Sequence, residues 1–567
     1  MAAARGATSP SGSEFRFEAP GRRGASLKRV GVYGWGIVAP KSPNVDTFAR
    51  NLASGGSWLE PFKGFGPNTF LVGNPEFDFE EYREWIGERF PPNRFAQLTS
   101  KMDVFALYAV GAFIQSLGQN PGIEQVLQEL GPEAHVYLGT GLGAFSAIHD
   151  ASLKLDRAQR IWDRFWADPA RCADLRTYRE SGGSAEGATG GSDPVPADPA
   201  GILDPDECEY VQRAWNTYWA ARSSGLREYL DEFAGIEETS VGGEVEVGKL
   251  SLIRDKERQR ARLQERWGAP SAPWTQVSAK VLWNIPNIPA SQVSMVGGIT
   301  GFTFAPVGAC ATFGVCLKLA LDAIQRGDAK AVVIGASDPP PHPLAVGSFF
   351  AARVIAAGDQ ISTPLTGLRG THVSGGAVVW IVAERSFMEA KGFQPLGMEP
   401  VSVGVSSDAD HIITPTKPGP LTAINTALEM GGVSPSEVVS WDLHATATPG
   451  DFLEVENMRE LLPEEVLVTA RKGTFGHGMS AGGGWELTAQ YLGAEQGVLF
   501  PTPLTRDDLN KEIAQVHSTF VYDSSCAFPQ GVTGKLSMGV GGVNAVVISR
   551  PLEELHPTDD PDSASEP

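Results

Sequence analysis

The hydrophobic pattern between the two ends of the chain is that of short buried strands alternating with helices. Continuous runs of valine, isoleucine, leucine and alanine end in glycine-rich turns, and helical patterns follow them. Because runs of this kind suit strands that are buried on both faces, they predict an α/β sheet covered by helices. The predicted strands are Val30–Tyr33, Val136–Leu138, Ala331–Ile334, Ala377–Val382, Val438–Leu443, Val466–Thr469 and Ala545–Ile548.

One region, from about Asp150 to Trp267, departs from this alternation. It carries two charged, tryptophan-containing helical patterns around a polar loop, Ser181–Gly201, which we expect to be mobile. A third helical pattern, Leu252–Trp267, is strongly basic. The basic pattern has two interpretations: a solvated helix face, or a docking strip for an acidic protein.

Composition and charge narrow the possible classes of protein. Lys and Arg number 46 against 67 Asp and Glu in 567 residues, and the resulting charge of −21 argues against general binding to nucleic acid or to an anionic membrane. No apolar stretch approaches the ~20 residues of a membrane span. The segment Met1 to Ala25 lacks the apolar core of a signal peptide, so we expect a cytoplasmic location.

Cysteine usage points to a reduced compartment. The five cysteines are scattered, odd in number and free of any CxxC pair. A disulfide framework or a structural zinc site is therefore not expected, and a free thiol is available for chemistry.

The first candidate site is an apolar, glycine-containing turn, Pro306-Val-Gly-Ala-Cys310. A helical pattern follows at once and is predicted to end at Gly327. A cysteine at the start of a helix faces unpaired backbone N–H groups and the positive end of the helix dipole, which both favour the thiolate. Cys310 is therefore a candidate nucleophile, with a small buried hydrophobic side chain as the alternative role. Cys316, inside the helix, fits that structural role well.

The second candidate site follows a buried-strand pattern and reads Asp442-Leu-His444-Ala-Thr446-Ala-Thr448. His444 stands just beyond the carboxyl end of the strand, the edge at which open α/β sheets bind ligands. In an extended segment, Thr446 and Thr448 would face the same way and could hydrogen-bond a linear, amide-bearing ligand. Threonines that only stabilise a turn are an equally good interpretation.

The third candidate site, Lys472-Gly-Thr-Phe-Gly-His477, also lies between a strand pattern and a helical pattern, which runs from Trp485 to Leu492. A single histidine is more often structural than catalytic. Two of only nine histidines, each just past the end of a strand, make a structural role for both harder to maintain.

The fourth candidate site runs from Lys535 to Ile548 and contains a glycine loop, Met538-Gly-Val540-Gly541-Gly542-Val-Asn544. Its three glycines permit the backbone to approach a ligand closely and to present N–H donors. A simple turn is the alternative. The loop lacks the GxGxxG order of dinucleotide-binding proteins, so no dinucleotide site is predicted.

Taken in order, the four sites resemble the motifs of the β-ketoacyl-acyl-carrier-protein synthases, which have the thiolase fold. GACAT around Cys310 is similar to the family's nucleophile motif, and HATATPGD from His444 is similar to its HGTGT-x-x-GD motif. KGTFGH from Lys472 is similar to the family's KSNxGH, and MGVGGVNA is similar to its closing GFGGTNA loop. Further similar segments are Arg29–Pro40, Gly139–Gly143 and Phe349–Ala356, so the resemblance covers roughly residues 28–145 and 280–550.

The resemblance implies an α/β, thiolase-like, five-layered αβαβα fold built from two similar halves. The N-terminal half would span residues 28–320, including a helical insertion at about 150–267, and the C-terminal half would span residues 321–550. The Ala-, Gly-, Ser- and Arg-rich residues 1–27 are predicted to form a disordered lead, and the acidic residues 551–567 a loose tail. Proteins of the family are usually homodimers.

The resemblance also implies an enzyme, an acyltransferase that forms carbon–carbon bonds by decarboxylative Claisen condensation in fatty acid or polyketide synthesis. Cys310 would carry the acyl group, His444 and His477 would stabilise the enolate of a malonyl thioester, and Lys472 would orient His477. The implied substrate-binding residues are Thr446, Thr448, Val540, Gly541, Gly542 and Asn544. Two backbone N–H groups, those of Cys310 and Val540, would form an oxyanion hole.

The implied partner is an acyl carrier protein or acyl-CoA, which brings its own phosphopantetheine arm. No metal ion and no organic cofactor of the protein itself are expected. An acidic carrier protein would also be the occupant of the basic pattern in the insertion, if that pattern is a docking strip.

Three departures from the family pattern indicate a divergent member. Gly375 stands where the family has an internal glutamate, Val540 stands where a gating phenylalanine is common, and Thr474 replaces an asparagine. The first departure affects the water or ion network that the glutamate would organise. The second is expected to change access to the acyl pocket.

Other functions remain open from these residues. A thiolase would need a second cysteine in the C-terminal glycine loop, and Met538–Asn544 contains none. A non-catalytic, chain-length-factor type of partner would have lost the nucleophile, whereas Cys310 and both histidines are present. A malonyl decarboxylase or a chain-initiating variant is the third alternative.

Overall fold

The computed structural model describes residues 28–183, 194–240 and 245–553. The predicted lead, most of the predicted tail, and residues 184–193 of the predicted loop lie outside the described residues. The strands within the described ranges are β1 (Val30–Val38), β2 (Glu60–Pro61), β3 (Leu71–Val72), β4 (Ala134–Gly139), β5 (Thr303–Phe304), β6 (Ala331–Asp338), β7 (Gly376–Glu384), β8 (Met398–Ser407), β9 (Val438–Asp442), β10 (Leu467–Thr469), β11 (Val498–Leu499), β12 (Cys526–Ala527), β13 (Val532–Gly539) and β14 (Val543–Pro551).

Two five-stranded sheets with the same topology form the framework. The first has the order β1-β7-β6-β4-β5 and the second the order β8-β14-β13-β9-β10. In each sheet the first two neighbouring pairs are antiparallel and the last two are parallel. The two halves that the resemblance implied are therefore confirmed by strand order and direction.

The boundary between the halves lies later in the chain than predicted. The first sheet is completed only by β6 and β7, and β7 ends at Glu384. The second sheet begins with β8 at Met398. The predicted boundary after residue 320 is wrong because it falls inside a helix that precedes two strands of the first sheet.

The helices occupy the outer layers, the space between the two sheets, and the insertion. The α-helices are α1 (Val45–Ser54), α2 (Arg83–Arg89), α3 (Arg94–Lys101), α4 (Val104–Gly118), α5 (Ile123–Glu129), α6 (Phe145–Trp166), α7 (Ala173–Glu180), α8 (Pro205–Ala221), α9 (Ser224–Glu237), α10 (Val245–Trp267), α11 (Ile288–Gly297), α12 (Thr312–Arg326), α13 (Pro343–Ala351), α14 (Arg385–Ala390), α15 (Pro418–Gly431), α16 (Gly450–Leu461), α17 (Lys472–Phe475), α18 (Met479–Gln496) and α19 (Lys511–Val516).

The order of layers is the predicted αβαβα. Helix α4 packs on β1 and β7 of the first sheet, and α15 packs on β8 and β14 of the second. Helices α12 and α18 pack against each other and against both sheets, and so form the central layer. Most of their sheet-facing side chains are apolar, and the core between the sheets includes Trp35, Phe313, Trp380, Trp485 and Tyr491; Glu486 of α18 is a buried exception.

The two central helices hold equivalent places in the two halves. Counted along the chain, helix α12 lies between the third and fourth strands of the first sheet (β5 and β6). Helix α18 likewise lies between the third and fourth strands of the second sheet (β10 and β13). The residues just before these helices therefore meet at one edge of the molecule. Cys310 precedes α12 and His477 precedes α18.

The insertion is a separate helical unit with its own apolar clusters. It comprises α6 to α10, and the side chains of Trp166 and Trp219 have no solvent exposure. The basic pattern lies on α10, where Lys256 and Arg260 form ion pairs with Glu237 of α9. Four of the six basic side chains of that pattern are paired in this way within the insertion: Lys256, Arg258, Arg260 and Arg266. This pairing favours the interpretation as a solvated helix face.

The contact between β1 and α4 depends on a glycine. A Cβ atom at Gly36 would lie 1.8 Å from the carbonyl oxygen of Ala112 in α4, and one at Gly34 would lie 2.2 Å from that of Ser116. Backbone atoms cannot move aside as a flexible side chain can. The lack of side chains at Gly34 and Gly36 therefore sets the distance between the first sheet and its outer helix α4.

We expect Gly36→Ala to destabilise the protein, because overpacking of a closed contact costs about 1–3 kcal/mol. The thermal unfolding midpoint measured by circular dichroism should fall. Gly118→Ala at the end of α4 is the matched control, since its Cβ atom would meet nothing within 4 Å. An unchanged midpoint for Gly36→Ala would show that the strand and helix can separate without cost.

Candidate active site

Cys310 lies in a sharp turn at the start of α12. The turn is a single 3₁₀ turn, Ala309–Ala311, and Ala309 has a φ of 48°, a left-handed conformation that is uncommon outside glycine. The side chain of Thr312 closes the turn: its hydroxyl accepts from the N–H of Gly308 at 3.0 Å and donates to the carbonyl of Ala309 at 2.7 Å. The sequence therefore places the Cys310 thiol directly after a residue with a strained backbone conformation.

The Cys310 thiol is protonated at neutral pH in the free protein. Burial raises its pKa to about 11, while the Lys472 cation and the backbone N–H of Val540 act in the opposite direction. The backbone N–H groups at the helix start do favour the thiolate, as predicted, but the loss of water around the sulfur outweighs them and the nearby cation. The backbone N–H of Val540 lies within hydrogen-bonding reach of the sulfur.

His477 is held in one tautomer by the backbone that follows it. The N–H of Met479 donates to Nδ1 of the His477 ring at 3.1 Å. Since Nδ1 accepts, the ring proton of the neutral imidazole is on Nε2. Met479 has a φ of 48°, so a second strained residue adjoins the site and directs this N–H back to the ring.

His444 follows β9 directly, and its ring lies beside that of His477. The two ring centroids are 5.4 Å apart, with their planes at 81°. Both side chains are buried, and burial, followed by the positive charge of Lys472, lowers both pKa values well below the usual range of histidine. Two neutral imidazoles therefore face one another in the site.

Two buried carboxylates, which sequence reasoning did not single out, shape the loop after His444. Glu454 accepts from the backbone N–H groups of His444 and Ala445 at 2.6 and 2.7 Å. Asp451 accepts from the N–H groups of Leu365, Thr446, Ala447 and Thr448. Burial raises the pKa of Asp451 to about 6 and that of Glu454 to about 8. The available signal was their spacing, since both lie in the first turns of α16.

The two threonines of this loop face the same way. Their hydroxyl oxygens are 3.0 Å apart, Thr446 and Thr448 both line the cavity described below, and Ala447 between them has a φ of 59°. The expected common orientation is therefore present, although a left-handed residue produces it where an extended segment was expected.

Lys472 contacts His444 and not, as the resemblance implied, His477. Its Nζ donates to the main-chain carbonyl of His444 and, at 2.7 Å, to Oε1 of Glu486 in α18. These are the hydrogen bonds of its ammonium group among the described residues. The predicted role of orienting the His477 ring is therefore wrong in its contact, and the lysine fixes the backbone of the other histidine.

Further buried charges adjoin the ion pair between Lys472 and Glu486. Lys535 forms ion pairs with Glu486 at 2.8 Å and with Asp442 at 3.3 Å, and Arg471 forms one with Asp442 at 3.3 Å. All of these side chains are at most 2% exposed. The sequence signal for them was a charged residue inside an otherwise apolar strand or helix pattern.

The C-terminal glycine loop contributes unequally to the site. Val540 and Gly542 line the cavity, and the Val540 side chain is 48% exposed. Gly541 donates its N–H to the carbonyl of Ile412 at 2.7 Å, which fastens the loop to a neighbouring one. Asn544, predicted to bind substrate, is buried and donates to Asp408 at 2.8 Å. Asn544 therefore supports the loop from behind.

A cavity of about 110 Å³ joins these elements. Cys310, His444 and His477 all line it, and the threonine pair lies at another part of its wall. Apolar side chains complete it: Phe349, Val354, Ile413, Pro415 and Met538. Within the ranges that the structure describes, no group of three or more His, Cys, Asp and Glu side chains is arranged to hold a metal ion, and no helix is long and apolar enough to cross a membrane.

The position of the absent glutamate is closed by the backbone. A Cβ atom at Gly375 would lie 2.0 Å from the carbonyl oxygen of Pro339. This contact admits no side chain at residue 375. The departure from the family pattern is therefore built into the path of the chain after β6.

Comparisons with known proteins agree with this arrangement. Residues 234–387 match the family model "Beta-ketoacyl synthase, N-terminal domain" and residues 399–505 match "Beta-ketoacyl synthase, C-terminal domain". A 3-oxoacyl-(acyl-carrier-protein) synthase 2 from Staphylococcus aureus is 29% identical over 287 residues, which are 47% of this chain and 66% of that protein. A chloroplastic 3-oxoacyl-(acyl-carrier-protein) synthase I from Hordeum vulgare is 28% identical over 281 residues, 47% of this chain and 59% of that protein. The chain thus matches about two thirds or less of the length of these relatives.

Solved structures share the fold at low sequence identity. The ishigamide ketosynthase/chain length factor has a TM-score of 0.62 at 17% identity, and a beta-ketoacyl synthase from Burkholderia phymatum has 0.61 at 17%. A type II PKS acyl-carrier protein in complex with its ketosynthase gives 0.60 at 16%. Each match covers 93% of this chain and 100% of the other. The chain therefore matches both β-ketoacyl synthase domain models in order, over residues 234–387 and 399–505, and shares the fold of these solved ketosynthases.

Proposed function

We propose that the protein is a β-ketoacyl thioester synthase, which condenses an acyl thioester with a malonyl thioester in fatty acid or polyketide synthesis. The observation that carries the proposal is the convergence of Cys310, His444 and His477 on one cavity. The thiol comes from the first half of the molecule and both imidazoles come from the second. Such a pairing provides a nucleophile and two hydrogen-bond donors around one substrate.

The first step is acyl transfer to Cys310. The sulfur attacks the carbonyl carbon of the acyl thioester, its proton passes to the departing thiol, and the old C–S bond breaks. The N–H groups of Cys310 and Val540 stabilise the oxyanion of the tetrahedral intermediate. Because the free thiol has a pKa of about 11, attack requires that its proton leave as the new bond forms.

The second step is decarboxylation of the malonyl thioester. The bond to the carboxylate carbon breaks, carbon dioxide leaves, and the electron pair remains as an enolate with negative charge on the thioester oxygen. Neutral imidazoles that donate from ring N–H groups stabilise this charge, and His477 carries its proton on Nε2, the nitrogen free of the backbone contact.

The third step joins the two substrates. The enolate carbon attacks the acyl-Cys310 carbonyl, the C–S bond to the protein breaks, and the β-ketoacyl thioester leaves. Cys310 is regenerated as the thiolate and takes up a proton. The cycle therefore consumes one proton, releases one carbon dioxide and returns the protein to its starting state.

The substrate arm enters along the wall that carries the threonines. Thr446 and Thr448 present two hydroxyls on one side of the cavity, which suits the amides of a phosphopantetheine arm on an acyl carrier protein or on CoA. We propose no resident metal ion or organic cofactor, and the residues named above supply each step. A cytoplasmic location is part of the same proposal.

A homodimer is the proposed assembly. Strand β5 lies at the end of the first sheet, and large apolar side chains near it are exposed: Met295 by 56%, Phe302 by 58% and Val307 by 66%. An open strand edge flanked by exposed apolar residues is a surface on which another chain can pair. A second copy would cover both features at once.

We expect an acyl adduct on Cys310 when the pure protein is incubated with series of acyl-CoA and acyl-carrier-protein substrates, because the thiol is the only nucleophile named in the cavity wall. Intact-protein and peptide mass spectrometry would detect it. Cys310→Ala should abolish the adduct. Cys316→Ala, six residues further along α12 and bonded to the carbonyl of Gly335, is the matched control and should keep it. Absence of an adduct on the parent protein would contradict the proposal. If carbon dioxide were still released, the decarboxylase alternative would be favoured; if none were released, the chain-length-factor alternative would be favoured.

We expect alkylation of Cys310 by iodoacetamide to accelerate with pH without a plateau near about 8.5, the pKa of an ordinary thiol. The raised pKa means that the thiolate fraction keeps growing toward pH of about 11. The rate is measured by mass spectrometry over the pH range in which the protein stays folded, with Cys310→Ala to subtract the other cysteines. A plateau below pH of about 8 would show that the helix start and Lys472 outweigh burial after all.

We expect light scattering after size-exclusion chromatography to give twice the chain mass of 60.4 kDa. Phe302→Glu should shift the protein toward the monomer, because it places a charge at the open strand edge. Leu203→Glu, at an apolar residue of the insertion that is 97% exposed, is the control and should leave the mass unchanged. A parent protein that elutes as a monomer would contradict the assembly.

A further inference from the structure

Lys535 is a fully buried lysine in the middle of the second sheet. It lies on β13, five residues before Val540, and its side chain is 1% exposed. It is the first residue of the fourth candidate site, but neither the resemblance nor the steps of the proposed condensation assign it a role. A buried ammonium group is retained only where its charge and hydrogen bonds are satisfied, so its partners indicate what it does.

Apart from the carbonyl of Leu536 on its own strand, the partners of Lys535 lie at the end of β9, just before His444, and on α18, the helix that follows His477. Its Nζ donates to the carbonyl of Leu443 at 3.2 Å and forms ion pairs with Glu486 and Asp442. Leu443 immediately precedes His444. The lysine therefore connects the base of the histidine loop to the central helix α18.

The two buried lysines form a matched pair of contacts. Lys472 binds the carbonyl of His444, and Lys535 binds that of Leu443, the residue before it. Glu486 bridges them, with Oε1 on Lys472 and Oε2 on Lys535 at 2.7 and 2.8 Å. Two consecutive carbonyls are thus held by two ammonium groups that share one carboxylate. The His444 backbone has little freedom to rotate about this clamp.

Buried charges of both signs surround the clamp. Lys472, Lys535 and Arg471 face the carboxylates of Asp442 and Glu486, and Glu454 lies on the far side of the histidine backbone. After burial and Lys472, Lys535 also lowers the pKa of both imidazoles. A neutral imidazole still donates one ring N–H to an enolate oxygen, and because it is a much weaker acid than the imidazolium it is less able to protonate the enolate.

We propose that Lys535 is a positioning residue for decarboxylation: through the Leu443 carbonyl and Glu486 it holds His444 where its ring can meet the enolate oxygen. The inference rests on the proposed function and deepens it. It concerns only the second step, since the hydrogen bonds and ion pairs of Lys535 within the described residues go to Leu443, Leu536, Asp442 and Glu486 and not to the turn that presents Cys310. Acyl transfer and decarboxylation should therefore respond differently to its loss.

The test uses Lys535→Met, which keeps the length of the side chain and removes its charge. We expect acylation of Cys310 to stay within about twofold of the parent rate, and release of labelled carbon dioxide from a malonyl thioester to fall by about 10²-fold, the usual effect of a small misplacement of a reacting group. The acidic limb of the decarboxylation profile should move to higher pH, because loss of a nearby cation lets the imidazoles protonate more easily.

Two further variants keep the result interpretable. Lys535→Gln also removes the charge but keeps an N–H donor that a buried carboxylate can accept, so it should fold even where Lys535→Met does not, with the same selective loss. Arg385→Met removes a buried, ion-paired cation at the opposite edge of the first sheet and should leave the ratio of the two steps unchanged.

Several outcomes would overturn the proposal. Equal losses in both steps, or no loss in either, would give Lys535 a structural role only. Failure of both Lys535 variants to fold while Arg385→Met folds would have the same meaning. A parent protein that never acylates Cys310 would instead remove the proposed function itself, and that result is separate from any effect of Lys535.

Discussion

The carboxylate of Glu486, on the central helix and without solvent exposure, is the group on which the geometry of the site depends. It forms ion pairs with two lysines: Lys472, in the segment before α18, and Lys535, in the middle strand of the second sheet. Removing one partner of such a buried group costs about 3–5 kcal/mol because the other charge stays unpaired in a dry environment. The arrangement therefore tolerates little change. The histidine loop is held rigid as well, because the same two lysines donate to its backbone carbonyls.

Much of the fold could be predicted from the sequence because its strands are buried on both faces. All seven predicted strands are present, and the helical pattern after Cys310 ends at Gly327 in a left-handed cap, as its residues indicated. The second sheet was harder. Strand β13 was missed because Gly534 and Lys535 interrupt its apolar run, and a lysine in a central strand has no meaning until its carboxylate partners are known.

The site could be predicted as a set of residues but not as an electrostatic environment. Motif order brought Cys310, His444 and His477 together correctly. The state of the thiol could not be read in the same way, because the helix start is visible in the sequence whereas the depth of burial is a property of the folded chain. The contacts of Lys472 and Asn544 were misjudged for a related reason: a motif names a residue, but only packing decides which neighbour its side chain reaches.

The repeated strand order has a consequence for how such a site can arise. Each half places one central helix with its first residues at the same edge of the molecule, and in one half a thiol stands there, in the other an imidazole. A single half would therefore have either the nucleophilic thiol or the hydrogen-bonding imidazole, but not both. The same path of the chain thus places different chemistry at equivalent positions, so attack and charge stabilisation are divided between the two halves. The active site is thus a property of the seam between two modules, and neither module contains it.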